Sequence, residues 1–215
     1  MNSNKFVKTV LVGTGTLLIL AGGMTAVIDP FFHYHKPLKQ LEYPLERGKE
    51  RYLNNGIIQN FDYDAAITGT SMMQNFKTSQ FDDLFGTHSV KVTLTGDTYW
   101  AIDEEIRTIF DNKSDIKYIF RCLDYNKIFD DKSDYNYDNV PTYLYDNNIW
   151  NDVQYLFNKD IFIDNTLGVI KYTLHGEKTP SMNEYSSWAA DYPVGTDYVL
   201  QTYSVPTKIE KQKKF

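Results

Sequence analysis

A serine placed just after a strand-ending glycine can be presented as a nucleophile, and Gly69-Thr70-Ser71 follows the strand-like run from Tyr63 to Thr68. Ser71 opens a predicted helix, Ser71 to Phe76, and a helix N-terminus favours negative charge developing beside it. The position suits a helix cap equally well, because a hydroxyl at Thr70 or Ser71 satisfies the first N–H groups whatever the function. Gly96 closes a second alternation, Val90, Val92 and Leu94. It can bring a backbone N–H to an oxyanion, or be an ordinary strand-ending glycine.

Serine activation calls for a histidine oriented by a carboxylate, and the chain has four histidines. His33 and His35 fall in a proline-containing connector, His88 at the start of a strand and so at the wrong sheet edge, and His175 at a helix end. A helix C-terminal role against the dipole suits His175 better than catalysis. The acidic cluster Asp130, Asp131, Asp134, Asn136 and Asp138 lacks the glycine and terminal glutamate of a calcium loop, which leaves a solvated loop and no metal site. The tyrosines from Tyr125 to Tyr145 can stack on sugar rings or pack a long excursion onto the domain. Cys122 has no partner in the chain, so no intramolecular disulfide is possible, and its apolar surroundings predict a buried thiol. Gly13-Thr14-Gly15 mimics a dinucleotide-binding pattern but lacks the preceding strand and the third glycine. No cofactor is implied.

These residues need elements to position them. The segment Thr9 to Ile28 carries no charge and runs for about 20 residues, the length that crosses a bilayer as a helix. A cleaved signal peptide is the competing reading, since Ala21, Gly22 and Gly23 offer small residues, but apolarity continues through Ile28. Lysines lie on both sides of the segment, so charge does not orient it. The very short N-terminal tail predicts a single-pass cell-membrane protein whose domain faces outside the cytoplasm.

Residues 1–28 thus read as an anchor, 29–56 as a stalk with a short helix Leu45 to Asn54, 57–205 as an α/β domain, and 206–215 as a charged tail. Within the domain, Ile116 to Leu123 is continuous enough for a buried strand, and Tyr99 to Phe110 has helical spacing. Further helices are expected at Ile149 to Asn158 and Leu167 to His175, with a last strand at Tyr198 to Val205. Strands alternating with helices indicate a parallel sheet, and its crossovers bring the segments at Gly69 to Ser71, Gly96 and Asp124 to one edge. A net charge of −6 argues against a phosphate-backbone binder, so nucleic acid is not an expected partner.

Gly69-Thr70-Ser71-Met72 resembles the first block of the SGNH hydrolase superfamily, with Gly96 at the second-block glycine. Asp29 to His35, Phe61 to Asp64, Gly69 to Phe76, Leu123-Asp124-Tyr125 and Pro141 to Asp146 are similar to a group of membrane-anchored envelope proteins of Gram-positive, often gut-dwelling, bacteria. The resemblance implies a three-layer α/β domain of SGNH or flavodoxin-like type outside the membrane. It implies a serine esterase or O-acyltransferase of envelope polysaccharide or teichoic acid, with Ser71 as nucleophile, Gly96 and Asn126 at the oxyanion and Asp124 at the third-block or orienting position. The third block, normally Gly-x-Asn-Asp, is here Cys122-Leu123-Asp124-Tyr125-Asn126, and the final Asp-x-x-His is absent from these residues. That absence implies a shortened member short of full hydrolase activity, with Ser71 as the vestigial or actual nucleophile. The alternative is a non-catalytic envelope protein that binds glycan or a protein partner.

Overall fold

The computed structural model describes residues 3–45, 48–131, 140–146 and 148–178. The expected strand Tyr198 to Val205, the charged tail, and Asp134, Asn136 and Asp138 lie outside them.

The uncharged N-terminal run forms one helix, α1 (Ser3–Ile28). It is long and apolar enough to cross a membrane. Leu11, Val12, Leu17, Ile19 and Leu20 are all exposed, so most of its length is not packed against the other described residues.

A three-stranded parallel sheet, order β2-β1-β3, is built from β1 (Ala65–Gly69), β2 (Ser89–Thr93) and β3 (Tyr118–Arg121). α3 (Thr78–Phe85) joins β1 to β2, and α4 (Tyr99–Asn112) joins β2 to β3. Neighbouring residues of β1 face opposite ways. Ile67 packs with Met73 and Phe81, on the α3 side, while Ala66 joins Val90 and Val92 against Leu53, Ile57 and Ile109. Helices therefore cover both faces, which is why β1 is buried throughout. The α/β expectation holds in this form.

Four expected elements differ. The buried strand placed at Ile116 to Leu123 is the shorter β3, an edge strand with Tyr118 exposed and Ile119 to Arg121 half-buried. The helix placed at Leu45 to Asn54 is α2 (Glu50–Asn60), because Leu53, Ile57 and Ile58 extend the apolar face past the glycine. Gly56 is no breaker there: a Cβ on it would be driven into the carbonyl oxygens of Phe31 and Phe32, so the glycine admits that backbone. The helix placed at Ser71 to Phe76 is a single 3-10 turn, Met73–Asn75, after which Phe76 is extended and the chain restarts as α3. α3 was legible from Gly86, which ends it in the left-handed conformation. The helix placed at Ile149 to Asn158 shrinks to α5 (Val153–Leu156), followed by a π-helical stretch Ile161–Thr166 that runs into α6 (Leu167–Leu174).

The segment read as a stalk belongs to the main core. Phe31, Phe32 and Tyr43 are buried with Leu53, Ile57 and Leu144. Asp29 fixes it: its carboxylate accepts the N–H groups of His33 (2.9 Å), Tyr34 (2.6 Å) and His35 (3.1 Å) and the Tyr155 hydroxyl (2.8 Å).

Candidate functional site

β1 ends at Gly69 with φ +147°, where a Cβ would come within 2.7 Å of Met73 and 3.0 Å of Cys122. Only glycine fits. The buried Thr70 follows, and its hydroxyl donates to Asp124 Oδ2 at 2.5 Å while accepting the Met72 N–H at 3.5 Å. Thr70, rather than Ser71, carries the turn. Ser71 is half-buried, and its carbonyl accepts the Gln74 N–H at 3.3 Å. Because the element behind it is one 3-10 turn, the helix dipole expected to favour an anion at Ser71 is lacking. Stabilisation there would have to come from individual N–H groups.

Beneath the turn lies a polar network in which buried Glu50, Gln74 and Lys91 join the exposed Thr95. Gln74 Nε2 donates to Glu50 Oε1 (2.9 Å) and to Thr95 Oγ1 (2.8 Å), and Thr95 Oγ1 donates to Glu50 Oε1 (2.6 Å). Lys91, fully buried in β2, donates to the Gln74 carbonyl at 2.7 Å. The network ties the turn to the end of β2 and the start of α2. Its one sequence signal was a lysine in the middle of a valine alternation, Val90-Lys91-Val92.

The three strand ends share one edge. The Leu94 N–H donates to the Gly69 carbonyl (2.9 Å) and the Cys122 N–H to the Thr68 carbonyl (3.1 Å). Beyond β2, Gly96 is exposed with φ +69°. Arg51 pairs with Asp97, and Thr98 caps α4 by accepting the Ala101 N–H at 3.3 Å. Beyond β3, the Asp124 carbonyl accepts the Tyr99 hydroxyl at 2.8 Å. Asp124 thus engages Thr70 and Tyr99, and the structure places no histidine on it. Cys122, expected as buried, is half-buried; burial and the Asp124 carboxylate push its thiol up, so it stays protonated and a poor nucleophile. Asn126 lies in the short turn Tyr125–Lys127, and its side chain is outside the described structure. Connections from β1 and from β2 run to opposite sides in the order β2-β1-β3, and in open α/β sheets such a reversal marks the strand ends, here those of β1 and β3, at which ligands bind as a rule.

None of the four histidines is at this edge. Asn60, at the far end of α2 from Glu50, donates to the carbonyls of Phe32 (2.7 Å) and His33 (3.4 Å). α2 is about 16 Å long at 1.5 Å per residue, which separates His33 from the serine edge. His33 does meet a carboxylate, Asp152, at 3.4 Å, with both side chains about nine-tenths buried. His35 bonds to the carbonyls of Lys36 and Val27. His88 precedes β2 at the opposite edge, its N–H held by Asp64. His175 follows α6, 3.9 Å from Glu177.

A polar cavity of about 700 Å³ opens beside the end of β2. Glu50, Arg51, Tyr52, Asp97, Tyr143 and Asn158 line it, and Ser71 does not. Next to it, Glu105 is buried, and burial pushes its carboxyl up to about 7 despite a hydrogen bond from Tyr145 (2.9 Å). Among the described residues no group of three or more metal-ligating side chains comes together. No protein-family model matches the chain, and neither the curated proteins nor the solved structures contain a match.

Proposed function

We propose that this chain is a membrane-tethered, extracytoplasmic SGNH-like protein of acyl-ester metabolism on envelope polysaccharide, with Ser71 as the nucleophile of a serine esterase or O-acyltransferase. The observation that carries the reading is the meeting of Gly69-Thr70-Ser71 with Asp124 at the β1–β3 end of a parallel sheet. The Ser71 hydroxyl would attack the carbonyl of an O-acyl group on the polysaccharide, forming a serine ester as the substrate's ester C–O bond breaks and the released sugar oxygen takes up the serine proton, while N–H groups of Ser71 and Gly96, with Asn126, would hold the oxyanion. Exposed apolar side chains adjoin the two site residues in sequence, Met72 beside Ser71 and Leu123 and Tyr125 beside Asp124, which suits an acyl group.

The second reading is a non-catalytic glycan-binding module, and the 700 Å³ cavity favours it, since it combines Tyr52 and Tyr143 with polar groups and leaves out Ser71. A fluorophosphonate probe separates the two. Labelling of the wild-type chain that disappears in Ser71→Ala supports acyl transfer. No labelling of folded protein sinks it and leaves the binding module.

A further inference from the structure

This inference rests on α1 crossing the bilayer. Between Lys8 and Asp29 there is no charge, and the stretch matches a hydrocarbon core of about 30 Å. The last turns of that stretch are not bare. Gly22, Thr25 and Ile28 are buried against α5 and the π-helical residues 161–166. A Cβ on Gly22 would come within 2.8 Å of the Phe157 ring, and the Thr25 and Thr166 hydroxyls are 3.2 Å apart. Gly22 stands about 10 Å along the helix axis from Asp29, at 1.5 Å per residue. Phe157 is therefore drawn below the level of the first charge, to the depth at which amphipathic segments sit in the headgroup–acyl boundary.

The same segment turns an apolar face outward. Trp150 is 81% exposed, Ile149 73%, Val153 51% and Phe157 48%. Trp150, Val153 and Phe157 are spaced three and four apart, as on one side of a helical turn, whereas Asp152 and Tyr155 are buried on the other. Exposed charges flank this face without interrupting it: Asp146, whose carboxylate accepts from Asn151 Nδ2 at 2.7 Å, precedes Ile149, and Lys159 and Asp160, 3.5 Å from each other, follow Phe157. An exposed tryptophan leading an apolar face that is continuous with a spanning helix fits the bilayer interface.

We infer that Ile149, Trp150, Val153 and Phe157 form an interfacial collar, which inserts into the boundary of the bilayer that α1 crosses and holds the domain against the lipid. The test uses the full chain in phosphatidylcholine vesicles containing brominated lipid. Trp100→Phe and Trp188→Phe leave Trp150 as the sole reporter, and Leu18→Trp in a chain otherwise lacking tryptophan reports on α1. The collar predicts that Trp150 emission is blue-shifted and quenched about twofold, more by bromines near the headgroup than by deep ones. Quenching at residue 18 without quenching at Trp150 overturns the collar and keeps the anchor. Quenching at neither overturns both.

Discussion

The serine edge of the sheet and the knot around Asp29 use the same residue types to opposite ends. At the edge, Ser71 and Asp124 are half-buried, the turn between strand and helix is a single 3-10 turn, and Gly96 is exposed. At the knot, Asp29 is fully buried, accepts four hydrogen bonds and is packed beside Phe31 and Tyr155. Burial pushes the Asp29 carboxyl up, against the pull of Tyr155 and the three backbone N–H groups. The pairing of a histidine with a carboxylate, His33 with Asp152, is spent at the knot rather than beside the serine. Saturated burial makes a carboxylate structural, whereas partial exposure with few partners leaves one available for chemistry.

That contrast can be broken most sharply at Asp29. Asp29→Ala would leave three N–H groups and the Tyr155 hydroxyl without their acceptor, and an expected loss of about 3–5 kcal/mol should appear in denaturant unfolding of the full chain. A loss comparable to that of an edge residue would erase the distinction.

Glu105 tests whether the edge side also holds strained burial. Its folded pKa of about 7 lies above the ordinary value of 4.5, so the fold favours the protonated form. The resulting stability is fully present below the ordinary value and is lost as pH rises through about 7, by about 3 kcal/mol at 1.36 kcal/mol per unit. Unfolding midpoints at pH 5 and pH 8 should differ in wild type, and Glu105→Gln should remove that component.

Thr70→Val breaks the hydrogen bond to Asp124 and removes the turn's own acceptor, an expected cost of about 1–2 kcal/mol with reduced probe labelling at Ser71. Ser71→Ala should have the smallest effect on stability, within about 0.5 kcal/mol, while abolishing labelling. A loss as large as that of Thr70→Val would identify Ser71 as part of the frame.

Local periodicity made much of this legible. The uncharged run of α1, the alternation of strands and helices, and the glycine at the end of β1 follow from short stretches read alone. The same locality explains the misses. Ser71 to Phe76 has a helix-like composition, yet Gln74 is drawn into contact with Glu50 and Thr95, 24 and 21 residues away, and the helix ends after one turn. α3 was missed although Gly86 marked its end.

Short stretches of residues thus encode an apolar helix able to span a membrane, and a parallel α/β order that sends the segments after β1, β2 and β3 to one edge. That Asp29, Phe31, Phe32 and Tyr43 of the expected stalk are buried in the core follows from tertiary contacts alone. The partner that satisfies Asp29, Tyr155, lies 126 residues further along the chain, and the glycine that admits Phe31 and Phe32 lies in a different helix. Such matches depend on contacts between distant segments, which no local pattern of residue types encodes.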